Sequence, residues 1–259
     1  MKQPLLAFGL LLSATTFNAN ASLTSYTVNG VDMVRMQGAG FDVSLTKDGN
    51  LFKTLADSNA NLISQIAAVT PIYNDPAYGI QTIDASHYVI STGQMTWWGG
   101  KAFVNYLNNI SYGGSNLWTL PDWIDTGATG VQCNNNGGDC GYNVNPSSSP
   151  LAQLYYGELN KIANLDPSGK VQDRWGIFSN NGLQIANGVV GPFINVKSAY
   201  YWLGTEFSGK PEELPPAAAW VFATIHGYQN DDYAKHNNLM YAWPVSSGQV
   251  AAVPVPGAL

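Results

Sequence analysis

Charge is scarce in this chain: only 11% of its 259 residues are Asp, Glu, Lys or Arg, against about a quarter in ordinary globular proteins. Arginine is scarcer still, with Arg35 and Arg174 the only two. Eleven cations against 17 anions give a net charge of −6. A groove that neutralises several phosphates needs clustered cations, so nucleic acid is excluded as a partner. Scarce charge beside 45% hydrophobic and 12% aromatic residues also excludes a disordered polyelectrolyte. Histidine is limited to His87, His226 and His236, far apart and without a metal-ligand spacing, and each reads as a loop or surface residue. No H-E-x-x-H, G-x-S-x-G, P-loop or strand–G-x-G-x-x-G–helix pattern occurs. Gly38-Ala39-Gly40 opens like a dinucleotide fingerprint but lacks the third glycine. Ser115 or Ser246 could serve as a nucleophile only beside a base that sequence does not place. No catalytic residue is assigned.

What is present begins with an export leader. Lys2, the apolar run Leu5 to Leu12 and the small-residue stretch ending Ala19-Asn20-Ala21 read as a signal peptide over residues 1–21. The apolar run is far short of the roughly 20 residues a bilayer-spanning helix needs, and no membrane span is expected elsewhere. Two cysteines, Cys133 and Cys140, bracket an Asn/Gly-rich segment. In an oxidising compartment they are expected to pair as a structural disulfide.

No internal repeat or linker divides the rest, so residues 22–250 read as one domain. Gly and Pro (27 and 14) are spread throughout and imply many turns. One helix is expected from about Gly100 to Asn108, where Phe103, Tyr106 and Leu107 share a face. A second begins at Ser149-Pro150, an N-cap followed by proline, with Leu151, Leu154, Tyr155, Leu159 and Ile162 as its apolar stripe. Ala218 to Ile225, apolar on both faces, reads as a buried central strand. Tyr200 to Leu203 and Tyr241 to Trp243 read as its neighbours, the latter ending at Pro244. His226 to Asn238 reads as a polar connection. An earlier strand is expected around Phe41 to Leu45, before the turn at Lys47 to Asn50. These elements make the class α+β with few helices.

Asn230, Asp231 and Asp232, and likewise Asn74 and Asp75, could offer oxygen ligands to calcium. Adjacent acids in a loop are more often simply solvated, so no cofactor is assigned. Eight tryptophans raise a carbohydrate reading. Trp97, Trp202, Trp220 and Trp243 sit in apolar patterns and read as core. Trp98 and Trp123, beside glycine or acidic residues, read as the exposed candidates. The ligand-binding candidates are therefore Trp98, Trp123, Asn230, Asp231 and Asp232.

The ordered set Met95-Thr96-Trp97, Lys101 to Val104 and Leu107, Gly113-Gly114, and Trp118-Thr119-Leu120-Pro121 resembles the Lcl C-terminal domain family. The likeness continues through Gly141 to Val144, Leu154-Tyr155-Tyr156, Tyr201 to Glu206, Ala219 to Phe222, Gly227-Tyr228-Gln229 and Tyr241-Ala242-Trp243. It implies a C-type-lectin-like (formylglycine-generating-enzyme-like) single domain with two main helices, a small mainly antiparallel sheet and long loops. It also implies a non-enzymatic surface or matrix domain that binds extracellular polysaccharide. Thr119 replaces the family's W-R-L-P arginine, and Val245-Ser246-Ser247-Gly248-Gln249 replaces its V-R-P-G-D ending. Losing both arginines removes two planar donors for acidic glycans. Residues 251–259, Pro-rich, resemble the opening of a PEP-CTERM sorting signal, which implies a sorting enzyme as partner where the signal continues. The alternatives are a formylglycine-generating-type oxidase, which needs a reactive cysteine pair and copper, and a purely structural matrix protein.

Overall fold

The structure is a computed structural model that describes residues 22–133, 138–183, 188–207 and 217–248. The leader (1–21) and the Pro-rich tail (251–259) lie outside the described residues.

The chain opens with β1 (Ser22–Val28), β2 (Val31–Gly38) and β3 (Phe41–Thr46), an antiparallel meander. Two eight-residue helices follow, α1 (Leu51–Ser58) and α2 (Leu62–Val69). Neither was expected, because neither has a capping side chain to mark it: Asn50 and Asn61 stand at the N-caps without a side-chain cap bond. Their apolar residues, Leu51, Phe52, Leu62 and Ile66, are buried. Burial of that face, not propensity, holds such short helices in place.

The hairpin β4 (Tyr73–Asp75) and β5 (Gly79–Gln81) and the pair β6 (Tyr88–Val89) and β7 (Gln94–Met95) lead into α3 (Trp97–Asn109). This is the first expected helix, begun three residues earlier. Thr96 caps it by accepting from the Gly99 amide at 3.1 Å. Gly99 and Gly100 read as signs of exposure, and the structure reverses that. A Cβ on Gly99 would stand 3.0 Å from the His87 carbonyl oxygen and one on Gly100 3.3 Å from Leu120. The glycines let the helix start press into its neighbours, which buries Trp98 to 4% exposure.

After α3 come β8 (Trp118–Thr119) and β9 (Gly141–Tyr142), then α4 (Pro150–Ala152). Ser149 caps α4 as expected, accepting from the Ala152 amide at 3.0 Å. The helix does not run on in α form: Gln153–Glu158 is a π-helical turn, closed by the Leu159 amide on the Leu154 carbonyl. The wider turn ends the expected stripe after Tyr155, and Ile162 is 41% exposed. The remaining strands are β10 (Gly188–Val190), β11 (Phe193–Val196), β12 (Tyr200–Phe207), β13 (Ala218–Ala223), β14 (Tyr228–Ala234) and β15 (Val245–Ser247).

These strands build a five-stranded sheet in the order β1-β2-β3-β15-β8 and a four-stranded sheet in the order β12-β13-β14-β9. All their pairings are antiparallel. The class is α+β. As expected, β13 is central and apolar on both faces. Ala219 and Val221 face one core with Trp97, Phe103 and Trp202. Trp220 and Phe222 face another with Tyr155, Tyr201 and Trp243. Tyr241 runs beside β12, but through one parallel bridge to Tyr201 instead of a ladder.

The segment expected as a polar connection is β14. The chain reverses within Thr224–Gly227, where the His226 and Gly227 amides donate to the Ala223 carbonyl. One side-chain amide of β14 is answered inside the protein. Gln229 is fully buried, donating to the Asp139 carbonyl at 2.6 Å and Ser148 Oγ at 3.0 Å, and accepting from Ser149 at 2.8 Å.

Cys133 and Cys140 form a disulfide with Cα atoms 5.0 Å apart. Beside it, Gly141 holds φ +91°, and a side chain there would run into the Val131 carbonyl. This lets β9 turn back onto Val131 in an isolated antiparallel bridge. Replacing both cysteines with alanine is expected to cost about 2–3 kcal/mol, lowering Tm by about 5–10 °C in a calorimetric scan.

Candidate functional site

The register of the four-stranded sheet lines up one set of aromatic side chains. Tyr142 of β9 pairs with Tyr228 of β14, Tyr228 with Ala223 of β13, and Ala223 with Tyr200 of β12. Residues paired across strands share a face, so Tyr142, Tyr228 and Tyr200 stand in a row. The turn after β13 adds His226, and β14 adds Tyr233. Ring centroids run from Tyr142 to Tyr228 at 4.7 Å, Tyr228 to His226 at 5.7 Å, His226 to Tyr200 at 5.6 Å and Tyr200 to Tyr233 at 5.2 Å. All five are half-buried, so each keeps part of its surface in contact with water. Asn230 belongs to the same face through its pairing with Val221.

Polar atoms line the row. His226 Nε2 lies 3.0 Å from the Tyr200 hydroxyl. Burial lowers the His226 pKa to about 4, so the imidazole is neutral at pH 7. Burial also raises the Tyr142 phenol, partly offset by a hydrogen bond from Asn164. Two buried atoms in this neighbourhood, His226 Nδ1 and Asn164 Oδ1, have no hydrogen-bond partner among the described residues. Buried polar atoms of this kind ordinarily find one.

The candidates read from sequence separate in space. Asn230 is on the aromatic face. Asp231 is fully buried, because successive strand residues point to opposite faces, which stops 230 and 231 from sharing one ion. Asp232 lies in the same strand. Asp75 is taken up by Lys235. Among the described residues no group of three or more His, Cys, Asp or Glu side chains is placed to hold a metal ion. Trp98 is no exposed platform: it packs edge-on to Trp97 at 4.7 Å and tilted against Tyr73 at 5.0 Å. Trp123 is half-buried, with one ring face stacked on Trp220 at 4.0 Å. The core assignment of Trp97, Trp202, Trp220 and Trp243 agrees with their burial.

His87 is also inside the protein, 6% exposed, with Nδ1 2.7 Å from the Thr96 hydroxyl and Nε2 3.2 Å from the Thr82 carbonyl. A carbonyl can only accept, so Nε2 carries the proton. Ser115 and Ser246 meet each other at 2.7 Å. The thiols an oxidase would need, Cys133 and Cys140, are joined. Thr119 and Ser246, where the resemblance expects arginine, lie on paired strands β8 and β15. Thr119 lines an open groove of about 500 Å³ with Phe41, Val43, Leu117, Trp118 and Ile124.

Family models, curated proteins and solved structures all fail to match this chain. Among the described residues no helix is long and apolar enough to cross a membrane.

Sequence missed the aromatic row because its members come from three strands and a turn, separated by up to 91 positions. The one local signal was Tyr228 two residues from Asn230 and His226. A histidine kept neutral by burial makes a pH prediction. The unfolded chain takes up the proton near pH 6.5 and the folded one only near pH 4. Stability is therefore full above pH 6.5 and falls as pH drops towards 4, by about 2–3 kcal/mol from this residue. Urea unfolding at a series of pH values should give that slope, and His226→Gln should flatten it. Burial also lowers His87, which leaves a slope of the same sign.

Proposed function

We propose that this chain is an exported, non-enzymatic domain that binds extracellular polysaccharide through the row Tyr142, Tyr228, His226, Tyr200 and Tyr233. The observation that carries the reading is five half-exposed rings in contiguous contact on one sheet face. Pyranose rings present C–H faces that stack on aromatic rings, as apolar and amphipathic partners do. Phenol hydroxyls, the neutral imidazole and Asn230 supply directional hydrogen bonds for sugar hydroxyls. A row of contacts across strands suits a polymer better than a single small sugar.

Charge narrows the ligand. With two arginines in the whole chain and a net charge of −6, a neutral glycan fits better than a sulfated or uronic one. Export is supported by the leader-like residues 1–21 and by the disulfide, which persists in oxidising compartments. The Lcl resemblance and a C-type-lectin-like fold belong to the same proposal. The α+β class with small antiparallel sheets is compatible with them. The sorting-signal resemblance of residues 251–259 adds the cell envelope or matrix as destination.

Affinity electrophoresis of the folded chain through a panel of neutral and acidic polysaccharides tests this. Retardation by a neutral glycan is expected, with Tyr142→Ala and Tyr228→Ala each weakening it by about 1 kcal/mol, roughly fivefold in Kd. Unretarded migration through every polysaccharide, or retardation that both variants leave unchanged, overturns the reading.

A further inference from the structure

Away from the aromatic row, the residue after β14 presents a different chemistry. Lys235 has no exposed side-chain surface, nor has its partner Asp75 at the end of β4. Lys235 Nζ lies 2.5 Å from Asp75 Oδ2 and 3.1 Å from Glu206 Oε2, which reaches in from β12. Glu206 is 37% exposed, so one of the two acids touches water. The indole rings of Trp97 and Trp98 close the other side, their centroids 5.3 and 5.2 Å from Nζ. Asp75 Oδ1 is held by two backbone amides, Ala77 at 2.7 Å and Tyr78 at 2.9 Å.

As an ion pair alone this arrangement has little to recommend it. Two charges removed from water recover their desolvation cost poorly, and apolar side chains of similar volume often serve stability as well. As a reaction centre its parts are complementary. A primary amine sits against a carboxyl group whose other oxygen points at two N–H donors, the arrangement that stabilises an oxyanion. A second carboxylate touches the amine and can carry its proton. The tryptophans exclude water, and the fold holds amine and acid together at a high effective concentration.

We propose that Lys235 and Asp75 condense to an intramolecular amide, with Glu206 as the proton carrier. Proton transfer from the Lys235 ammonium to Asp75 Oδ2 gives a neutral amine and a neutral acid. The Nζ lone pair forms a bond to Asp75 Cγ, and the carbonyl electron pair moves onto Oδ1, facing the Ala77 and Tyr78 amides. Glu206 accepts one proton from Nζ and passes it to the Oδ2 hydroxyl. The Cγ–Oδ2 bond breaks, water leaves, and the pair on Oδ1 re-forms the carbonyl. In sum, an ammonium and a carboxylate become an amide and one water, with no oxidant, metal or cofactor. The product clamps the β4–β5 hairpin to the end of β14 across 160 positions of sequence.

Mass spectrometry of the full chain decides this, with its N-terminal residue established by the same peptide map. The reduced, denatured chain is expected one water lighter than its sequence. Trypsin should fail to cut after Lys235 and should release a branched peptide joining the Asp75 and Lys235 segments. Glu206→Gln should restore the full mass and the cleavage, with near-ultraviolet circular dichroism reporting that the buried tryptophans stay ordered. Lys235→Arg keeps the positive charge but has no amine to acylate, and should also show the full mass. A wild-type chain at full mass that trypsin cuts after Lys235 overturns the proposal whatever the variants do. A branched peptide that persists in Glu206→Gln overturns the part given to Glu206.

Discussion

Four of this protein's deeply buried tryptophans bring an indole N–H to a backbone carbonyl elsewhere in the fold, whereas the buried Trp98 Nε1 has no partner among the described residues. Trp97 donates to Leu203, Trp202 to Met95, Trp243 to Thr46 and Trp118 to Tyr112, all within 3.0 Å. Three of these bonds span 106 to 197 positions. A large apolar ring supplies burial without direction, whereas its single donor accepts only one arrangement of the neighbouring chain. Trp97 ties the start of α3 to β12, and Trp202 ties β12 back to Met95 at the end of β7. The four-stranded sheet is thereby tied to the start of α3 and the strand before it, while Trp243 ties the chain ahead of β15 to β3 of the five-stranded sheet.

That lock explains how so weakly charged a chain can place polar residues inside. With the apolar frame held, β14 can alternate buried Gln229 with half-buried Tyr228 and Asn230 and still be a strand. The Gln229 amide is satisfied by Ser148, Ser149 and the Asp139 carbonyl. The same strand brings Tyr228 and Tyr233 to the half-buried aromatic row and leads into Lys235 beneath Trp97 and Trp98. One segment thus contributes to both the aromatic row and the buried Lys–Asp–Glu group. The two lie at different depths, and one does not require the other.

Much of the frame was legible in the residues. Ser149-Pro150 announces a helix start because a hydroxyl cap and a ring-locked φ act locally. Ala218 to Ile225 announces a central strand because so apolar a run is buried on both sides, and the strand ends at Ala223 where the chain reverses. The cysteine pair was legible because two cysteines bracketing a short loop, behind leader-like residues, leave few other fates. What misled was polarity and glycine read as exposure. Trp98 beside Gly99 and Gly100 looked open, yet those glycines exist so that backbone and ring can approach closely. His226 to Asn238 looked like a loop, yet Gln229 and Lys235 in it are buried and paired from other elements.

By itself, then, the sequence determined the α+β class, the tryptophan-rich core, the capped start of α4 and the disulfide. Each of these follows from neighbours along the chain or from composition. Only the tertiary structure decided that Tyr142, Tyr200, Tyr228, Tyr233 and His226 share a face, and that Lys235 meets Asp75 and Glu206. Strand register and long-range packing bring such groups together, and neither leaves a mark in the local spacing of residues.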